Sequence, residues 1–259
     1  MWATDHIIMP GDLREPYGQL LEPLITLASV ASATERLRVG TSCIVLPQRN
    51  PILLAKQVSA LDVFSKGRVI LGVGAGWAEQ EFRFLNADFE RRGRVMDESV
   101  RLMKSLWRND AVNFDGEFYH VKDAHFLPKP VRKDVPVWIG GNGQTAIRRA
   151  VRLGDGWHPV GVALEEFRKG AEEIRRSRND ATLSLRMTTD VRKKRPTYFG
   201  PNSERRVTVS GSPQELRKEM DAYFEAGLQY YCVAINHPVA ADIEADLKLF
   251  SSEVMRSYA

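Results

Sequence analysis

Short apolar runs and amphipathic stretches take turns along almost the whole chain. Runs of strand length cover Trp2–Ile8, Leu37–Leu46, Arg68–Val73, Val135–Ile139, Gly156–Val160, Leu183–Thr189 and Gln229–Ile235. Stretches of helical spacing or composition lie between and after them, at Glu22–Thr34, Pro51–Phe64, Arg91–Arg108, Thr145–Leu153, Leu164–Ser177, Pro213–Ala226 and Ala241–Ser257. Strand–helix alternation over such a length predicts a parallel sheet with helices outside it. Connections are short except for an insertion at about residues 78–134, which predicts one amphipathic helix and a hairpin around Asp115-Gly116. The pattern yields seven strands, and the chain begins inside the first. A (β/α)8 barrel has eight. Two architectures remain: an open doubly wound sheet, or a TIM-type barrel lacking its first strand and helix.

The strand ends separate these two. They carry Asp5-His6, Thr41-Ser42-Cys43, Gly74-Ala75-Gly76-Trp77, Gly140-Gly141, Trp157-His158, Thr188 to Asp190, and Asn236-His237. In parallel barrels the active site lies at the C-terminal ends of the strands. A rim of small, polar and aromatic residues there favours the barrel and predicts a broad ligand site. The run Val135–Ile139 passes directly into Gly140, Gly141, Asn142 and Gly143, and then into the helix Thr145–Leu153. A helix that opens from such a turn presents unpaired N–H groups and the positive end of its dipole, a natural phosphate site. The plainer alternative is a tight turn that uses glycine for positive φ angles.

Composition narrows the function classes. The chain has 259 residues and is 43% hydrophobic, which suits one large domain over 1–259. No run approaches the ~20 apolar residues of a membrane span, and no basic start followed by an apolar signal core is visible. Cys43 and Cys232 sit in apolar runs and read as buried thiols of a reducing compartment, so a cytoplasmic location is expected. The formal charge of +4 is local: Arg192, Lys193, Lys194, Arg195, Arg205 and Arg206 face Glu204 alone over residues 192–206. That stretch reads as a solvated loop, with attraction of an anionic ligand as the alternative. No aromatic interleaving points to nucleic acid, and no His or Cys spacing points to a metal. Gly72-x-Gly74-x-Gly76 follows a strand but lacks the third glycine spacing and the later acidic residue of a dinucleotide fingerprint.

Several motifs together carry a resemblance. They are Trp2-Ala-Thr-Asp5-His6, Leu37-Arg-Val-Gly40-Thr41, and Leu71-Gly-Val-Gly74-Ala-Gly76-Trp77 with Glu81-Phe82. Phe89-Glu-Arg-Arg-Gly93-Arg94 with Asp97-Glu98, Pro136-Val-Trp-Ile-Gly140-Gly141 and Gly154-Asp155-Gly156-Trp157 follow. In these the chain resembles the bacterial luciferase-like flavin monooxygenase superfamily, and within it the branch of oxidoreductases that use the deazaflavin coenzyme F420. The resemblance implies a luciferase-like (β/α)8 barrel with a flavin-type cofactor at the strand ends. Carried over, Asp5 and His6 lie beside the ring. Thr41, Ser42 and Cys43 form a bulged strand with a non-prolyl cis peptide, expected at Ser42–Cys43. Gly76, Trp77 and Trp157 line the pocket, and Gly140, Gly141 and Asn142 hold the phosphate. The family's usual first strand and helix are missing, which suggests a misplaced start or a truncation. Sugar-phosphate dehydrogenases of the branch carry Glu where this chain has Trp77, which speaks against that substrate. Relatives are often dimers, so a homodimer is expected.

Hydride chemistry at a flavin needs a dry pocket, a held ring and a group that moves a proton. His6 is the candidate for that group, because its ordinary pKa near 6.5 lets it work in both directions. Asp5 is the candidate to orient it or to bind the ring. His158 is a second strand-end candidate, while His120, His125 and His237 read as structural. Arg91, Arg92 and Arg94 read as a solvated helix start, with contact to a substrate anion as the alternative. The leading function is a flavin- or deazaflavin-dependent oxidoreductase acting on a small organic substrate with F420, or FMN in its place. The competing readings are a non-catalytic flavin binder and an unrelated barrel enzyme such as a Schiff-base lyase, which would need a strand-end lysine.

Overall fold

The computed structural model describes residues 1–11, 17–192, 197–200, 205–235 and 240–258, with only the backbone at Phe199. The chain packs as two compact units, Met1–Gly140 with Arg152–Asp155, and Gly141–Val151 with Gly156–Ala259. The predicted positions Lys193, Lys194, Arg195, Glu204, Asn236 and His237 lie outside the described residues.

In the first unit the strands are β1 (Trp2–Ala3), β2 (Val39–Thr41), β3 (Ile44–Val45), β4 (Val69–Gly74) and β7 (Val137–Gly140). They pair in parallel, β1 on β2, β2 and β3 on β4, and β4 on β7. Helices α1 (Pro23–Ser32) and α2 (Pro51–Phe64) connect them. Asn50 starts α2 by accepting the Ile52 and Leu53 N–H groups, with Pro51 at the first position, where no N–H is needed. Val69, Ile70, Leu71 and Val73 of β4 are all buried, as a strand covered on both faces requires.

The insertion holds two helices, not the one expected: α3 (Glu79–Phe84) and α4 (Arg92–Arg108). Six residues are too few for a 3.6-residue period to show, which hides α3 in the sequence. The amphipathic α4 buries Val95, Met96, Val100, Leu102, Met103, Leu106 and Trp107. The expected hairpin is present as antiparallel β5 (Val112–Asp115) and β6 (His120–Ala124). Its turn is fastened from α4: the buried Glu98 carboxylate accepts the N–H groups of Glu117, Phe118 and Tyr119 at 2.8, 2.9 and 2.8 Å.

The second unit contains β8 (Gly156–His158), β9 (Thr182–Asp190), β10 (Thr197–Phe199), β11 (Arg205–Ser210) and β12 (Tyr230–Ala234). Parallel partners of β9 are β8, β11 and β12, while β10 runs antiparallel to β11. Helices α5 (Gln144–Leu153), α6 (Leu164–Ser177), α7 (Pro213–Glu225) and α8 (Ala240–Glu253) complete the elements. Ser212 and Glu215 form a capping box on α7. The core around Trp157 stacks its indole on Phe167 at 5.6 Å. Strands β10 and β11 correct the loop expected at 192–206. Arg205 and Arg206 disguise a strand whose later residues, Thr208, Val209 and Ser210, are buried. Arg192 ion-pairs with Asp246.

Candidate active site

The first predicted strand ends early, and the reason is chemical. The N–H groups of Ile7 and Ile8 do not pair with a neighbouring strand; both donate to Glu81 Oε1, at 2.7 and 3.3 Å. The other oxygen of the same carboxylate meets His6 Nδ1 at 3.0 Å. Glu81, the third residue of α3, is 1% exposed, and the His6 side chain is 6% exposed. Burial works against the charge on Glu81. The hydrogen bond and charge of His6 and the Ile7 N–H outweigh it and hold the carboxyl below its ordinary pKa. The His6 ring also packs against Tyr17 at 4.9 Å and edge-on against Trp77 at 5.4 Å, and those two rings are 5.7 Å apart. A cavity of about 320 Å³ opens here, lined by His6, Ile7, Ile8, Met9, Tyr17 and Leu20, with Gly18.

Asp5 faces other partners. Its buried carboxylate accepts a two-pronged bond from Arg49, Nε at 3.2 Å and Nη2 at 2.7 Å, and the Val45 N–H at 3.0 Å. Arg49 also pairs with Glu22. The contact that orients His6 therefore comes from Glu81 and not from Asp5. Glu81 stands in the motif that carried the resemblance, but only its distance in space from His6, across 75 residues, reveals the pairing.

The expected bulge is present. Ser42–Cys43 is a cis peptide, and the run Leu37–Leu46 divides there into β2 and β3. The Thr41 hydroxyl donates to Gly72 O at 2.7 Å, and Ser42 is buried. Cys43 is half-buried, which corrects the expectation of full burial, and neither cysteine is in a disulfide. A side chain at Gly140 would collide with Cys43 Sγ, since a Cβ there would lie 2.5 Å away. Gly76 has φ +85°, and a Cβ on it would lie 2.6 Å from Val45. That turn accepts glycine alone and delivers Trp77 to the His6 ring. Arg91 and Arg94 form surface pairs with Asp88 and Glu117, and Arg92 lies over Phe89 and donates to the Gly76 and Phe89 carbonyls.

In the second unit, Gly141 has φ +127° just ahead of α5, and a Cβ on Gly143 would meet nothing within 4 Å. The open turn and the start of α5 present N–H groups of the kind a phosphate takes, although those of Ala146 and Ile147 already donate to the Gly143 carbonyl. The Asn142 side chain is spent on structure: its amide makes two 2.9 Å bonds to the backbone of Val160. Trp157 is 1% exposed and donates to Gly141 O at 2.9 Å, so it fills the core of this unit. His158 is fully buried, with Nδ1 2.8 Å from Ser184 Oγ. Burial and the charge of Arg186 push its pKa down to about 3, so it is neutral. Among the described residues no helix is long and apolar enough to cross a membrane, and no three His, Cys, Asp or Glu side chains cluster as metal ligands would.

The chain belongs to the luciferase-like monooxygenase family, whose profile matches residues 1–207. It is 27% identical, over 98% of its length and 88% of the relative's, to an F420-dependent glucose-6-phosphate dehydrogenase of Amycolatopsis mediterranei. Its fold is that of the luciferase-like TIM-barrel proteins. The F420-dependent tetrahydromethanopterin reductase of Methanopyrus kandleri superposes with a TM-score of 0.80 at 14% identity, covering 100% of this chain and 90% of that one. A type II Baeyer-Villiger monooxygenase component from Pseudomonas putida, in complex with FMN, superposes with a TM-score of 0.75 at 18% identity, covering 98% and 87%.

Proposed function

We propose that the chain is an oxidoreductase that moves a hydride between coenzyme F420 and a small organic substrate, with His6 handling the proton. The observation that carries the reading is the His6–Glu81 pair at the wall of a cavity, flanked by Tyr17 and Trp77. The name of the Amycolatopsis relative favours F420 over FMN. Bound deazaflavin supplies the ring carbon that takes or gives the hydride. The protein's part is the rest: Trp77 and Tyr17 exclude water, and His6 takes or returns a proton. The open turn at Gly141 and Gly143, with the start of α5, has the donors a phosphate needs. Trp77 supplies no carboxylate where sugar-phosphate dehydrogenases of the branch have one, which speaks against a sugar phosphate as substrate. The test is a fluorescence titration of the protein with F420 and with FMN. Saturable binding of F420, tighter than FMN, is expected. Tighter FMN binding would reverse the cofactor assignment, and binding of neither would overturn the reading.

A further inference from the structure

We propose that Glu81 is the positioning residue of this site: it fixes His6 as the Nδ1–H tautomer in one ring orientation, so that Nε2 exchanges the proton with substrate. The inference rests on the reading above for the identity of the reaction, but its geometry stands alone. An ionised carboxylate only accepts hydrogen bonds, so the 3.0 Å contact to Nδ1 requires the hydrogen to sit on Nδ1. In neutral His6 the lone pair is then on Nε2, the nitrogen left for the occupant of the cavity. The same carboxylate takes the Ile7 and Ile8 N–H groups, and both residues line that cavity. One side chain thus sets the ring, the tautomer and the wall. Although burial opposes its charge, the contacts with His6 and the Ile7 N–H lower its pKa and keep it charged at neutral pH.

The other groups near His6 do not compete for this role. Asp5 is tied to Arg49 and the Val45 N–H, Arg49 is shared with Glu22, and Tyr17 meets the imidazole through its ring. With an alcohol as substrate, bound deazaflavin would supply the acceptor for the carbon-bound hydrogen and its electron pair. The hydroxyl proton passes to Nε2, and the carbonyl forms. The imidazolium so made lies against Glu81, which stabilises it. In the reverse direction Nε2 returns the proton to the carbonyl oxygen.

The experiment reads the tautomer directly. Long-range 1H–15N spectra of the ligand-free protein, with the His6 signals identified by their loss in His6→Gln, are expected to show a protonated Nδ1 and a bare Nε2. Glu81→Gln keeps the shape but replaces the oxygen facing Nδ1 with an amide donor. The hydrogen should move to Nε2, while kcat falls about 10²–10⁴-fold, the range for loss of a correctly held acid–base group. F420 affinity should change by no more than about threefold, well under 1 kcal/mol. A wild-type His6 with hydrogen on Nε2, or a tautomer unmoved in Glu81→Gln, overturns the proposal. If Glu81→Gln does not fold, the wild-type spectrum still decides. These spectra need neither cofactor nor turnover. A failed F420 titration therefore sinks the function and leaves the tautomer standing, and a wrong tautomer in an active enzyme sinks this inference alone.

Discussion

His6 and His158 each stand at a strand end behind a residue that a ligand site would use, Asp5 in one case and Trp157 in the other. In the first unit the histidine is paired with a buried, ionised carboxylate and lines a cavity. In the second it is fully enclosed, bonded to the Ser184 hydroxyl and held neutral. A carboxylate partner stabilises the charge that a proton taken by the ring would bring. A hydroxyl partner in a dry core penalises the charge instead. The lesson is that position at a strand end nominates a histidine, while the partner and the surroundings decide its work.

The largest expected effect tests the first half of that contrast. His6→Ala should cut kcat by about 10²–10⁴-fold, the usual contribution of a general acid–base group. F420 affinity should hold within about threefold. Steady-state kinetics beside the cofactor titration check this, and a variant with wild-type turnover would remove His6 from the chemistry. Asp5→Ala should act on stability instead. It leaves Arg49 charged, largely buried and without its two-pronged partner. Loss of one member of a buried pair costs about 3–5 kcal/mol, read as a lower urea midpoint. If Asp5→Asn keeps its stability and loses turnover, Asp5 belongs to the reaction after all.

The next effect belongs to His158 and appears as a pH dependence. The unfolded chain binds a proton on this residue near pH 6.5, whereas the folded one does so only near 3. Stability from its neutral burial is therefore complete above pH 6.5 and is lost as the pH falls through the window between those values. The slope is about 1.4 kcal/mol per pH unit once the unfolded histidine is protonated. His158→Gln should lack that slope between about pH 6 and 4.5, above the range where most carboxylates titrate. Equal slopes in both proteins would mean that His158 already carries a proton in the native state.

Legibility in the sequence followed the same division. Long periodic elements such as Pro51–Phe64 and Leu164–Ser177 have the bounds that their patterns predict, because burial of one face dictates them. The break at Ser42–Cys43 and the strand-end position of His6 were legible from the family motifs. The partners of these residues were not. Glu81 reaches His6 across 75 residues from a six-residue helix, and Arg49 reaches Asp5 across 44. Alternation and spacing record which face of an element is buried, not which distant side chain meets it. For the same reason the sequence did not show that Trp157 is buried in its unit or that the Asn142 side chain clasps the Val160 backbone. Strand β11 escaped because its two arginines mask the buried end of the strand.

The smallest expected effect sharpens the second half of the contrast. Ser184 Oγ lies 2.7 Å from the Trp157 carbonyl, an acceptor only, so the hydroxyl must spend its one hydrogen there. It then accepts from His158, which must carry its hydrogen on Nδ1. Ser184→Ala strips the hydroxyl partner from that Nδ1–H, in a place where no side chain of Ser184 or His158 is exposed. The cost should be about 1–3 kcal/mol, the penalty for leaving buried polar groups unpaired. His158→Phe removes that orphaned Nδ1–H, so adding Ser184→Ala to it should cost less than Ser184→Ala alone. A double-mutant cycle by urea unfolding measures the difference. Turnover and F420 affinity should stay near wild type throughout. If Ser184→Ala lost turnover without losing stability, the two histidines would share a function that their surroundings argue against.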